Sequence, residues 1–118
     1  MEKVKLNTAA DRFEVHPRTI LRALSDQVNV YWNTDFNPHI DVNLLASAYS
    51  MDARILVRVF QGRDSLLKPT EASRQLKVPP RTFRWRRYKA AARKGGIVRY
   101  SRSQVINEHL LKWDHEGT

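Results

Sequence analysis

At 118 residues, with 42% hydrophobic and 28% charged residues, the chain has the balance of a globular protein and room for one ordinary domain or two small ones with modest cores. The absence of cysteine excludes a disulfide framework or a thiolate metal site and makes a reducing, cytoplasmic setting the expectation, while the longest aliphatic run, Ile55 to Val57, is far short of the roughly 20 residues a bilayer span needs. The formal net charge is +9, and a surplus of that size points to a polyanionic partner.

The opening "MEKVKLNTAADRFEV" lacks the apolar stretch of a secretion signal. Ala9, Ala10 and Phe13 recur at helical spacing and predict a first short helix. "EVHP" interrupts it, because the residue before a proline avoids the helical region. Pro17 suits the first turn of a new helix, where its missing N–H costs nothing, and Ile20, Leu21 and Leu24 make that helix's inner stripe. Beyond it Val28, Val30 and Trp32 alternate as in a strand, "NTDFNP" carries turn chemistry, and Asp41 is placed to cap the next helix.

Two readings of "VNLLASAYSMDARILVRVFQG" stay open. In one, Ala46, Met51, Arg54 and Arg58 stand where Ala10, Val15, Arg18 and Arg22 stand upstream, so that residues 43–62 form a third helix pair. In the preferred one, Val42 to Tyr49 closes the first unit and Ala53 to Gln61 is a linking helix ended by Gly62. Its Ile55, Leu56, Val59 and Phe60 then pack between units or against a second subunit.

A shift of 63 residues lays the start of the chain over its second half: Lys5 on Lys68, Ala9 on Ala72, Val15 on Val78, Pro17 on Pro80, Arg18 on Arg81 and Thr19 on Thr82. Val4, Phe13 and Ile20 fall on Leu67, Leu76 and Phe83, and Asn7 falls on Thr70, both of a type that accepts from the free amides of a first helical turn. Charge separates the copies. No acidic residue lies between Glu71 and Glu108, where eleven basic ones fall. The stretch "VPPRTFRWRRYKAAARKGG", residues 78–96, is expected to be a basic helix with Arg86, Lys89 and Arg93 on one stripe and with Trp85, Tyr88 and Ala92 on a second packing face. Ser101 and Gln104 have capping-box spacing, which starts the last helix near Arg102, with Val105, Ile106, His109, Leu110 and Trp113 as its buried side.

"LNTAADRFEVHPRTILRAL" and "LKPTEASRQLKVPPRTFRW" resemble the helix-turn-helix of the excisionase and MerR-like winged-helix group, and "GGIVRYSRSQVINEHLLKW" looks like that family's β wing and closing helix. The middle segment is faintly similar to the helix-turn-helix of LacI-type repressors. The likeness implies a mainly α fold of tandem winged helix-turn-helix modules with short β wings: module 1 over 1–51, a helical linker over 52–65 and module 2 over 66–118. It also implies a small accessory factor of a phage, plasmid or other mobile element, acting as a transcriptional regulator or as an excisionase-like directionality factor in recombination.

The expected partner is double-stranded DNA, with a homodimer or a cooperative assembly on it left open, in the cytoplasm at the nucleoid. Selection of sequence falls to residues near the start of each second helix: His16, Arg18, Thr19 and Arg22 in the first module, Arg81, Thr82 and Arg84 in the second. Arg86, Arg87, Lys89, Arg93 and Lys94 are expected to grip phosphate, and Arg99 and Arg102 to flank the wing and reach the minor groove. The four histidines include no i, i+3 or i, i+4 pair on one helix, the carboxylates form no compact acid/base motif, and the glycines form no phosphate loop. A binder is therefore expected and not an enzyme, with no cofactor, no metal, no membrane and no evident small-molecule ligand. The alternatives are an RNA-binding or ribosome-associated protein and a protein-interaction adaptor.

Overall fold

The computed structural model of the chain describes residues 3–25 and 39–113, so the strand and turn expected from Val28 to Pro38 lie outside the described residues. Strand β1 (Lys3–Lys5) runs directly into α1 (Leu6–Phe13), which turns into α2 (Pro17–Ser25). Strand β2 (His39–Asp41) runs into α3 (Val42–Ala48), followed by α4 (Ala53–Phe60). The second half repeats the order: β3 (Leu66–Leu67), α5 (Pro69–Gln75), α6 (Pro80–Arg86), then β4 (Ala92–Lys94), β5 (Ile97–Ser101) and α7 (Arg102–Lys112). Among the described residues the fold is mainly helical, with two small antiparallel sheets ordered β1–β2 and β3–β5–β4.

Three helix pairs share one turn. Glu14, Ser50 and Lys77 adopt the left-handed conformation at φ 54°, 52° and 57°. In each case the next residue's N–H donates to a carbonyl five positions back: Val15 to Ala10 at 3.0 Å, Met51 to Ala46 at 2.9 Å and Val78 to Ser73 at 3.1 Å. That bond satisfies a carbonyl the ending helix would leave open. A left-handed non-glycine residue costs roughly 1–2 kcal/mol, and the apolar residue after it offsets the cost by packing on a core.

Helix starts follow local chemistry. Asp41 Oδ1 accepts from Asn43 N and Leu44 N, as expected of a cap, and Asp52 does the same for Arg54 N. Ser101 Oγ accepts from Gln104 N at 3.2 Å, so α7 begins at Arg102 as the spacing predicts. The reciprocal half of that box does not form, since Gln104 Oε1 has no partner. Asp64 supplies the missing support, accepting from Ser101 Oγ at 2.5 Å and from Ser103 N at 3.1 Å. Asn7 and Thr70 are not caps: α1 and α5 start one residue before them, and the Lys68 N–H donates to Glu71 Oε1 instead.

Two cores result. The first gathers Phe13, Ile20, Leu24, Leu45 and Tyr49 with Leu56 and Val59 of α4, all essentially inaccessible. The segment expected as a linker is therefore part of the first core, because burying Leu56 and Val59 stabilises by roughly 1.5–3 kcal/mol each. Gly62, at φ 75°, ends the turn after α4 as expected. The second core holds Ala72, Leu76, Phe83, Tyr88 and Val105.

The basic helix expected over 78–96 ends at Arg86, and Arg87 turns left-handed at φ 54°. Long-range packing overrides the helical pattern. Tyr88 folds back to stack on Phe83 at 4.9 Å and to bond His109 Nδ1 at 2.9 Å, while Ala91 and Ala92 insert into the first core. Arg86, Lys89 and Arg93 consequently share no helical stripe, and Trp85 stays 72% exposed while Tyr88 and Ala92 are buried.

The β4–β5 hairpin joins the halves. Arg93 N donates to Tyr49 O at 2.9 Å, and Ile97 packs on the first core. Among the described residues no helix is long and apolar enough to cross a membrane, and no group of three or more His, Cys, Asp or Glu side chains is arranged to hold a metal ion.

Candidate nucleic-acid interface

The start of α2 is built around His16. Its carbonyl accepts from Thr19 N at 2.8 Å and its Nδ1 from Arg18 N at 3.1 Å, so the ring closes the helix's open end as well as lying exposed beside Arg18. Arg18 and Arg22 are exposed and Thr19 is half-buried. Thr19, Arg22 and Ala23 form one wall of a cleft of about 290 Å³ whose opposite wall is Lys94 to Ile97, the tip of the hairpin, with Tyr49 also lining it. Residues selected from the two halves of the sequence, Arg22 and Lys94, thus meet at one site. Gly95, at φ 58°, makes the tight hairpin tip that allows this approach.

A second concavity, of about 520 Å³, collects the basic block. Arg84 and Arg87 at the end of α6, Lys89 in the following loop and Arg93 on β4 surround a floor of Phe83, Tyr88, Ala90 and Tyr100. The early end of α6 is what brings them together: a continued helix would have carried Lys89 and Arg93 away along its axis. Lys89 N donates to Glu108 Oε2, which also receives Lys112 Nζ at Oε1. Burial pushes the Tyr100 phenol up, and the charge of Arg93 pulls it partly back. Four cations around a partly aromatic floor suit an anionic, planar-faced polymer, with guanidinium groups able to take phosphate oxygens in pairs.

The remaining expected residues divide. Arg81 is exposed and Thr82 half-buried on the first turn of α6. Arg86 is half-buried, lies 4.6 Å from the Trp113 ring centroid and donates to Tyr88 Oη at 3.3 Å, which commits it to packing. Arg102 is exposed on α7 and reaches Gln75 Oε1 at 3.4 Å. Arg99 is a correction. It is only 7% exposed, and it donates through Nε to Phe13 O at 2.7 Å, through Nη1 to Val98 O at 2.9 Å and through Nη2 to Glu14 O at 3.4 Å. It closes the C-terminus of α1 across the two halves and has no surface to offer a groove.

Charge is tuned at that junction too. A hydrogen bond to Glu71 raises the Glu14 carboxyl, helped by partial burial, while the Lys68 backbone N–H lowers Glu71. Burial pushes the Tyr49 phenol up to about 12, and its Oη has no partner. Arg54 and Arg58 were left outside the expected site. They line a third cleft, of about 540 Å³, with Asp52, Ile55 and three polar residues of α7, Ser103, Gln104 and Asn107. Their spacing from Met51, matching that of Arg18 and Arg22 from Val15, was the available signal. No protein family, curated protein or solved structure matches this chain.

Proposed function

We propose that the protein binds double-stranded DNA in a sequence-specific way through two winged helix-turn-helix heads, α1–α2 and α5–α6 with the β4–β5 wing, and regulates transcription or recombination of a mobile element. The observation that carries this reading is the cleft where Arg84, Arg87, Lys89 and Arg93 converge on one concave surface. Surplus charge on one face is costly to keep without a polyanion to neutralise it. The placement of α2 against the hairpin tip adds a cleft at which the basic Arg22 and Lys94 meet. A body 56 Å along its longest axis exceeds the roughly 34 Å of one duplex turn.

On this reading Arg22, Arg84, Arg87, Lys89 and Arg93 contact backbone, and Arg18, Thr19, Arg81 and Thr82 face base edges. One observation favours RNA instead: Trp85 is 72% exposed next to Arg84, a ring on which an unpaired base can stack. Competition between duplex DNA and structured RNA for the purified chain separates the two. Displacement of bound duplex by unlabelled duplex but not by equal RNA is the expected result, and preferential displacement by RNA would overturn it.

A further inference from the structure

Shifted by 36 residues, the unit β1–α1–α2 lies over β2–α3–α4 along its whole length. The strands Lys3–Lys5 and His39–Asp41 alternate exposed, buried, exposed in the same order. Buried Leu6, Ala9, Ala10 and Phe13 correspond to buried Val42, Leu45, Ala46 and Tyr49, and Ile20 and Ala23 to Leu56 and Val59. Left-handed Glu14 corresponds to left-handed Ser50. Exposed Arg18 and Arg22 correspond to exposed Arg54 and Arg58.

The two units are also arranged about an axis. In the β1–β2 ladder Val4 pairs with Ile40, its own counterpart, and antiparallel pairing of counterparts puts a local twofold at that pair. Phe13 stacks on Tyr49, again its counterpart, with 4.4 Å between ring centroids. Self-counterpart contacts in both the sheet and the core are what an isologous interface requires. Here the interface lies within one chain.

We infer that α4 is the twofold mate of α2 and a further duplex-facing helix beside α2 and α6, on which Arg54 and Arg58 meet a half-site inverted relative to the one under Arg18 and Arg22. The inference rests on the duplex-binding reading above. Twofold-related helices of this kind read inverted half-sites. Both helices present the same face to a cleft: Thr19 and Arg22 opposite the hairpin tip, and their counterparts Ile55 and Arg58 opposite Ser103, Gln104 and Asn107. Asp52, the acid lining the α4 cleft, is spent on capping α4 and on holding Arg54 at 2.9 Å. Arg58 is therefore the side chain on which the test turns.

The test is equilibrium binding and footprinting of the full chain on duplexes selected from a randomised pool, for wild type, Arg22→Ala, Arg58→Ala and Arg58→Lys. The selected sites should contain an inverted repeat. Each alanine variant should flatten the log–log salt slope by about 0.9 and weaken protection at opposite ends of the site, while Arg58→Lys keeps the slope. Wild-type behaviour of Arg58→Ala alongside a weakened Arg22→Ala, or selected sites with no inverted symmetry, overturns the inference while leaving duplex binding intact. A wild-type chain that takes up no duplex defeats the duplex-binding reading itself, and this inference with it.

Discussion

Helices α2 and α6 begin alike and end differently. Both open on Pro-Arg-Thr after the same left-handed turn, and both bury the next residue, Ile20 or Phe83. α2 then continues on Leu21 and Leu24, which pack on the first core and carry it to Ser25. α6 has Arg84 and Arg87 at those places, finds no core to continue along, and stops at Arg86. The chain after it is claimed by Tyr88 on Phe83 and by Ala91 and Ala92 on the first core. One scaffold thus gives a nine-residue helix with two arginines at one end and a seven-residue helix rimmed by a basic cleft at the other. Exchanging two inner leucines for arginines changes where the chain turns as well as its charge.

The junction is the place to break this arrangement hardest. Arg99→Ala removes the donors to the buried Phe13 O and the part-buried Val98 O and Glu14 O, so a loss of about 3 kcal/mol of stability in urea unfolding is expected. Wild-type stability for that variant would show that the two halves do not depend on this contact. The division between the helix ends is sharpened next by a pair of substitutions. Arg81→Ala should cost about 2 kcal/mol of discrimination at one base position, whereas Arg93→Ala should weaken all duplexes alike and flatten the salt slope by about 0.9. Equal losses on specific and random DNA for both variants would remove the distinction.

Smaller effects probe the packing between halves. Tyr49→Phe deletes a buried hydroxyl that lacks a partner and keeps the stacking on Phe13, so thermal unfolding should show a gain of about 1 kcal/mol. The phenol's pKa is raised, so the wild type's stability holds below about pH 10 and falls as pH rises toward about 12, a loss that the phenylalanine variant escapes. The least change is expected for Glu14→Gln. Glu14's raised carboxyl contributes stability only at acid pH, losing it as pH rises through its folded titration, while the lowered Glu71 works in the opposite sense. Glutamine donates to Glu71 without needing a proton, so the variant should gain up to about 0.5 kcal/mol at pH 7, discounted for solvent screening. The gain should vanish on acidification, and a gain that instead grows in acid would contradict the carboxyl pair.

Much of the layout was legible because its signals are local. Pro17 and Pro80 mark helix starts, Asp41 and Ser101 mark caps, and Gly62 marks a helix end, each acting within four residues of itself. The rest depended on partners far along the chain. Arg99 reads as a surface charge until Phe13 O, 86 positions away, is placed beside it. The end of α6 carries no glycine or proline; Arg87 pays for its left-handed turn through contacts made by Tyr88 and Ala91. Glu108 bounds the basic block in sequence, 19 positions past Lys89, and only the placement of α7 brings it onto the Lys89 N–H. The 36-residue correspondence is faint in the sequence, where few pairs are identical (Asn7 and Asn43, Ala10 and Ala46, Arg18 and Arg54, Arg22 and Arg58), and is carried mainly by repeated burial.

The most direct measurement is the affinity of the intact chain for duplex DNA as salt is raised, followed by fluorescence anisotropy. Backbone contacts by Arg22, Arg84, Arg87, Lys89 and Arg93 predict a log–log slope of about −4.5, at about 0.9 for each contact, and the contact inferred for Arg58 steepens it to about −5.4. A slope near zero, or no uptake of duplex at micromolar protein in dilute buffer, would contradict the account.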